Sequence, residues 1–221
     1  MGRLAIESRS MSKMARAGIV AALLSLAGFM VSACDELPFG LGGSWPPKVG
    51  KPFPDIEFTN YDGRKLKIAD FKGKVVLVKM VGMTCPACNA FSGGHERGAM
   101  TGVQPQPGLG MLEAYLDRFG GGLTLDHPEL VLVQIVLYDL SNDAPDRDDV
   151  RLWAEHYHLD RNPNIHVVFS ERDLRGRASL NMIPGVQLVD KESVVRLDST
   201  GPRPRHNLYT QLLPQVPRLL R

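Results

Sequence analysis

"VVLVKMVGMTCPACNAF", residues 75–91, runs from a strand into a helix through two cysteines. Residues 75–82 form a continuous valine-rich run with one charge, Lys79. That is the pattern of a central strand covered on both faces. Pro86 stands where the first turn of a helix would begin, a place where its missing N–H costs nothing. Cys85 and Cys88 therefore flank a strand-to-helix turn. A C-x-x-C pair there closes a small disulfide ring. The free helix amides and the positive end of the dipole lower a thiol pKa from ~8.5 towards ~3.5–7. The first cysteine is the exposed one in that geometry, so Cys85 is expected to attack and Cys88 to resolve.

Other readings of the pair have less to stand on. A structural zinc site wants four ligands, and the only other cysteine is Cys34, far upstream. His156 and His158 are two apart on a predicted helix and point to different faces. No metal site is expected, and no cofactor beyond a redox-active Cys85–Cys88 disulfide. Two inert core thiols are the remaining alternative.

Cys34 has its own context. Residues 17–31, "AGIVAALLSLAGFMV", follow Arg3, Arg9, Lys13 and Arg16. Such an apolar run is shorter than the ~20 residues of a membrane span and suits a secretory signal. It ends at "VSAC" (31–34), which resembles the lipobox of bacterial lipoproteins. The resemblance implies a signal peptide over 1–33, cleavage before Cys34, lipid on Cys34 and a membrane anchor. Asp35 after such a cysteine is associated with retention in the inner membrane, facing the periplasm. Residues 34–48, rich in Pro and Gly, read as a flexible tether, and 49–221 as one domain. The chain of 221 residues carries a formal charge of +2. Without the first 33 residues it has 22 basic and 23 acidic side chains, which gives no sign of a nucleic-acid partner.

Around the motif the elements alternate. "PFPDIEFTNYDGRKLKIADFKGK" (52–74) reads as a hairpin about Tyr61-Asp62-Gly63. Helical spacing is expected at 110–119, 146–159 and 171–181, with a second buried strand at 129–138. "MIPGVQLVDKESVVRLDSTG" (182–201) reads as a strand pair about Lys191-Glu192-Ser193. The tail is a closing helix weakened by Pro214 and Pro217. This order gives an α/β fold with a central mixed sheet, flanking helices and an N-terminal β-hairpin extension, and it resembles thioredoxin.

Residues 49–221 resemble the TlpA/ResA-like branch of membrane-tethered thioredoxin-fold proteins. The likeness is close over 49–88 and moderate over "IPGVQLVDKESVV" (183–195). It implies a thiol–disulfide oxidoreductase with a cis-proline at Ile183-Pro184, exposing backbone for substrate docking. It further implies a reductant of oxidised exported proteins such as apocytochrome c, fed by a membrane electron donor protein. This sequence departs from the pattern at three sites. Thr84 replaces the usual Trp before the first cysteine, and Phe91 occupies the place of a buried Glu. Lys79 stands where thioredoxin itself has an acid. Lys79 is expected to snorkel to the sheet edge; if it stays inside, its charge favours the thiolate. The segment 92–110 is longer than usual, and reads equally as a recognition lid or a tolerated insertion. Thiol peroxidase is an alternative, although Thr84 adjoins Cys85 instead of preceding it by three residues. A copper chaperone is another, although such relatives space their cysteines by three residues.

Overall fold

Among the described residues, seven strands form one sheet in the order β2-β1-β5-β4-β3-β6-β7. The computed structural model describes residues 44–221. The strands are β1 (Phe58–Asn60), β2 (Lys65–Leu66), β3 (Val75–Gly82), β4 (Leu130–Tyr138), β5 (Ile165–Phe169), β6 (Gly185–Val189) and β7 (Val195–Asp198). β3, β4 and β5 run parallel, while β6, β7 and the β1–β2 hairpin are antiparallel. A parallel centre with antiparallel edges, the motif after β3 and the hairpin after Pro184 make this the thioredoxin-like α/β fold.

The period of two in β3 and β4 sorts the core into faces. Val76, Val78 and Met80 join Val131, Val133 and Ile135 on one face, under Phe53, Ile56, Ile68 and Met182. The opposite face holds Val75 and Leu77 with Leu130 and Leu132 at one end, and Val81 with Val136 at the other. Between these two apolar clusters lie Lys79 and Gln134, paired in register.

The helices cover mainly that second face. They are α1 (Pro86–Ser92), α2 (Gly94–Arg97), α3 (Leu112–Phe119), α4 (Arg147–His156), α5 (Arg177–Leu180) and α6 (Val216–Leu220). α1 ends at Gly93, whose φ of 105° is a left-handed cap, a conformation glycine adopts without steric cost. The 110–119 helix starts two residues late, at Leu112, and three other expected helices fall further short of their patterns. The 171–181 piece is helical only over Arg177–Leu180, because Asp173 Oδ1 accepts Arg175 N–H at 2.9 Å and turns the chain instead. The 146–159 helix ends at His156, with His158 left-handed at φ 54°. The tail is a π-turn over Leu208–Leu212, a 3-10 turn over Leu213–Gln215 and then α6. Pro214 and Pro217 each withhold the N–H that one continuous helix would need.

Cys34, Asp35 and the signal segment lie outside the described residues. The last part of the expected tether does not. Trp45 packs on the first core face and donates Nε1–H to Ser179 Oγ at 2.7 Å. Pro47 O accepts from Gln187 Nε2 at 3.3 Å. Residues 44–48 are thus held on the domain. Among the described residues, no helix is long and apolar enough to cross a membrane.

Candidate active site

Cys85 is the N-cap of α1, half-buried, and its Sγ accepts Cys88 N–H at 3.3 Å. Cys88, one turn on, is fully buried against Val81, Met83 and Met100. Both thiols are free. Hydrogen bonding from the Cys88 thiol is the main influence drawing the Cys85 thiol down to about 7; the Cys88 and Ala87 amides and the Lys79 charge add to it, against burial. Burial, followed by the Cys85 sulfur, pushes the Cys88 thiol well above its ordinary value. Cys88 Sγ also lies 3.7 Å from Met80 O, so its single proton serves one acceptor at a time.

The turn between β3 and α1 is fixed from within. Asn89 is fully buried and donates Nδ2–H to Met83 O at 3.0 Å and to Cys85 O at 2.9 Å. Tyr157, from the loop after α4, donates its hydroxyl to Asn89 Oδ1. Asn89 thus ties the Met83 carbonyl ahead of the motif to that of Cys85.

Lys79 does not snorkel. Its side chain is fully enclosed, because Cys88 and Ser92 of α1 and Trp153 of α4 close over it. Nζ donates to Cys88 O at 3.2 Å, to Gln134 Oε1 at 3.3 Å and to Ser92 Oγ. The Trp153 ring lies 5.8 Å from Nζ, at cation–π distance. Burial pulls the Lys79 pKa down to about 8, partly offset by Cys88 and Cys85. The strand pattern alone suggested an escape route to water that the packed helices remove.

Around Cys85 the structure gathers other expected residues. Thr84 donates its hydroxyl to Asn142 Oδ1 at 2.7 Å, across to the loop after β4. The Ile183–Pro184 peptide is cis. A Cβ added at Gly82 would stand 3.4 Å from Ile183 Cδ1 and 3.8 Å from Cys85 Cβ, so Ile183 borders the motif directly. Phe91 is buried and packs edge-on to Tyr115; it is an apolar core residue of α1. The segment 92–110 folds back on α1. Gln106 N–H reaches Pro86 O at 2.9 Å, and His95 Nε2 donates to Gln106 O at 3.0 Å. Its Met100 lies buried in the cluster around Cys88.

Asn89, Ser92 and Gln134 are not among the expected site residues, and Trp153 and Tyr157 are expected only on the apolar face of the 146–159 helix. The signal for Gln134 was present: "VLVQIVL" carries one polar residue mid-strand, as "VVLVKMVG" carries Lys79. Asn89 and Ser92 follow Cys85 at helical spacings of four and seven, so they share its face. Among the described residues there is no cluster of three or more His, Cys, Asp or Glu that could hold a metal ion.

No family model matches the chain. It is 26% identical over 194 residues to the thiol:disulfide interchange protein DsbE of Pseudomonas aeruginosa, covering 84% of this chain and 81% of that protein. The crystal structure of a candidate electron transfer protein from Aquifex aeolicus superposes with a TM-score of 0.52 at 16% identity, over 79% of this chain and 99% of that one. The solution structure of a thioredoxin-like protein from Porphyromonas gingivalis gives 0.45 at 16% identity, over 76% and 90% of the two chains. The Aquifex likeness bears on the fold alone. By the topology of its sheet this chain is thioredoxin-like in fold, and it is similar in sequence to a thiol:disulfide interchange protein.

Proposed function

We propose that this chain is a thioredoxin-like thiol–disulfide oxidoreductase worked by Cys85 and Cys88. One observation carries the reading: a half-exposed thiol drawn down to about 7 sits one helical turn from a fully buried thiol held above its ordinary value. Near neutral pH the first is substantially thiolate, the form that attacks a disulfide, and the second stays protonated until it is needed. Cys85 thiolate attacks one sulfur of a substrate disulfide and releases the other as a thiolate. Cys88 then gives up its proton, bonds to Cys85 Sγ and releases the second substrate sulfur. Two electrons pass to the substrate, and the chain is left with a Cys85–Cys88 disulfide for a donor dithiol to reduce.

Ile183 and Pro184 form the docking edge for an extended substrate, with Thr84 next to Cys85 as a further contact. The polar Thr84, already tied to Asn142, gives a less apolar wall than a Trp would. The substrates are oxidised exported proteins, apocytochrome c among them, and the donor is a membrane protein. Lipid on Cys34 would hold the domain at the outer face of the inner membrane. The similarity to DsbE and the N-terminal sequence support this finer reading.

The test is trapping in the native cell envelope. Cys88→Ser should accumulate mixed disulfides on non-reducing gels, and Cys85→Ser few. Equal trapping by both variants would remove the assignment of the nucleophile and, with it, the exchange mechanism.

A further inference from the structure

A cation buried beneath the motif has no anion of its own. Lys79 Nζ is surrounded by three neutral acceptors, Cys88 O, Ser92 Oγ and Gln134 Oε1. None of the ion pairs among the described residues includes it. The titratable groups of this pocket are Cys85 and Cys88 from the α1 side and Tyr157 from the far side of Asn89. Burial raises the Tyr157 phenol above its ordinary value, so it stays neutral. On β6 the residue paired with Lys79 is Val186. A thiolate is therefore the one counter-charge that this pocket generates.

The neighbours also suit both protonation states of the amine. An ammonium has three N–H donors, and three acceptors await them. A neutral amine has two donors and one lone pair. Of the three partners only Ser92 can reverse its role: its hydroxyl lies 3.2 Å from Gln134 Oε1, and can turn instead to donate to Nζ. Gln134 Oε1 keeps the Trp153 Nε1–H bond at 3.1 Å in either case. Loss of the proton therefore leaves no buried partner orphaned, which would otherwise carry a desolvation cost.

We propose that Lys79 is a redox-coupled proton site, holding an ammonium opposite the thiolate of the reduced pair and releasing that proton when the disulfide forms. The proposal rests on the exchange reading above. In the oxidised chain the disulfide is uncharged and Lys79 is a neutral amine. Reduction adds two electrons and two protons, one proton to Cys88 Sγ and one to Lys79 Nζ, and leaves Cys85 as thiolate. Charge is balanced inside the pocket on both sides of the reaction. Stabilising the thiolate favours the reduced form, the opposite of what a buried carboxylate at this place would do.

Three measurements test it on the full chain. In the wild type, the Lys79 side-chain NMR signals are titrated over pH 7–9 in the oxidised and reduced protein. The midpoint should be higher in the reduced state by about one pH unit; equal midpoints would overturn the proposal, and this needs no substitution. Lys79→Met should move the equilibrium with glutathione about tenfold towards the disulfide, a fall of ~30 mV for a two-electron couple. It should also raise the pH midpoint of Cys85 alkylation. Gln134→Glu keeps the lysine and the shape while supplying a carboxylate, and should shift the equilibrium in the same direction. If wild type equilibrates and neither variant differs from it, the Lys79 role falls and the oxidoreductase reading stands. If the wild-type Cys85–Cys88 pair forms no reversible disulfide with glutathione, both fall together.

Discussion

Two cysteines of the same motif differ because one caps a helix and the other faces the sheet. Cys85 Sγ receives an amide hydrogen bond at the helix start, and Cys88 receives burial. In the reduced protein, the rate of Cys85 alkylation at limiting reagent should rise about tenfold per pH unit below its midpoint, as expected when the thiolate alone reacts. The rate should level off above pH 7, since the thiol is drawn down to about 7. Cys88 should remain unlabelled throughout that range. Peptide mapping after a short pulse of iodoacetamide separates the two. A midpoint near the ~8.5 of a free cysteine would mean that the amide and thiol hydrogen bonds do not hold in solution. The same comparison gives the sign of the coupling to stability. Because the folded value lies below the unfolded one, ionised Cys85 contributes stability that is fully present above the unfolded pKa and lost as pH falls through about 7.

At the scale of elements, the site is a junction where β3, α1 and the loop before β6 meet, and the spacing is set by backbone. Gly185 pairs with Met80 across the β3–β6 ladder. A Cβ there would stand 2.2 Å from Thr200 Cα and 2.9 Å from Ser199 O. These are backbone atoms of the segment after β7, and they have no rotamer by which to yield. Gly185→Ala should therefore push β6 away from its neighbour and cost about 1–3 kcal/mol, the usual range for overpacking. Urea unfolding of reduced protein measures this. A variant as stable as wild type would show that the β6–β7 junction is looser than its geometry. Asn89 holds the other side of the junction, so the turn carrying Cys85 is fixed by side-chain hydrogen bonds on one side and by strand packing on the other.

At the scale of the whole molecule, residues before the expected domain boundary contribute to its stability. Trp45 covers the core face that holds Phe53, Ile56 and Met182, and its indole N–H is satisfied by Ser179. Trp45→Ala in the full chain should lose about 1–3 kcal/mol, less than the 3–5 kcal/mol of a fully buried aromatic because the ring is only half-covered. That corresponds to a fall in Tm of several degrees, at ~2–4 °C per kcal/mol for a chain of this size. Thermal unfolding followed by circular dichroism reads it. An unchanged Tm would return residues 44–48 to the tether.

The strands, the hairpins and the positions of Cys85 and Cys88 were legible in the sequence because each is encoded over a few adjacent residues. A valine-rich run, a Tyr-Asp-Gly turn and a proline after the first cysteine report on the local backbone whatever surrounds them. Gly93-Gly94 mark the early end of α1 for the same reason. What the sequence could not determine is where a side chain goes when two elements close over it. Lys79 has a stem long enough to reach water from an open strand, and only the packing of α1 and α4 over β3 and β4 removes that route. Asn89, Ser92, Gln134, Trp153 and Tyr157 come from three parts of the chain, up to 68 residues apart for the Tyr157–Asn89 bond. No local pattern brings them to one pocket. The sequence thus determined the two sulfurs and the turn that presents them, while the fold decided which charge lies beneath them, because burial and hydrogen-bond partners belong to the folded chain and not to any stretch of it.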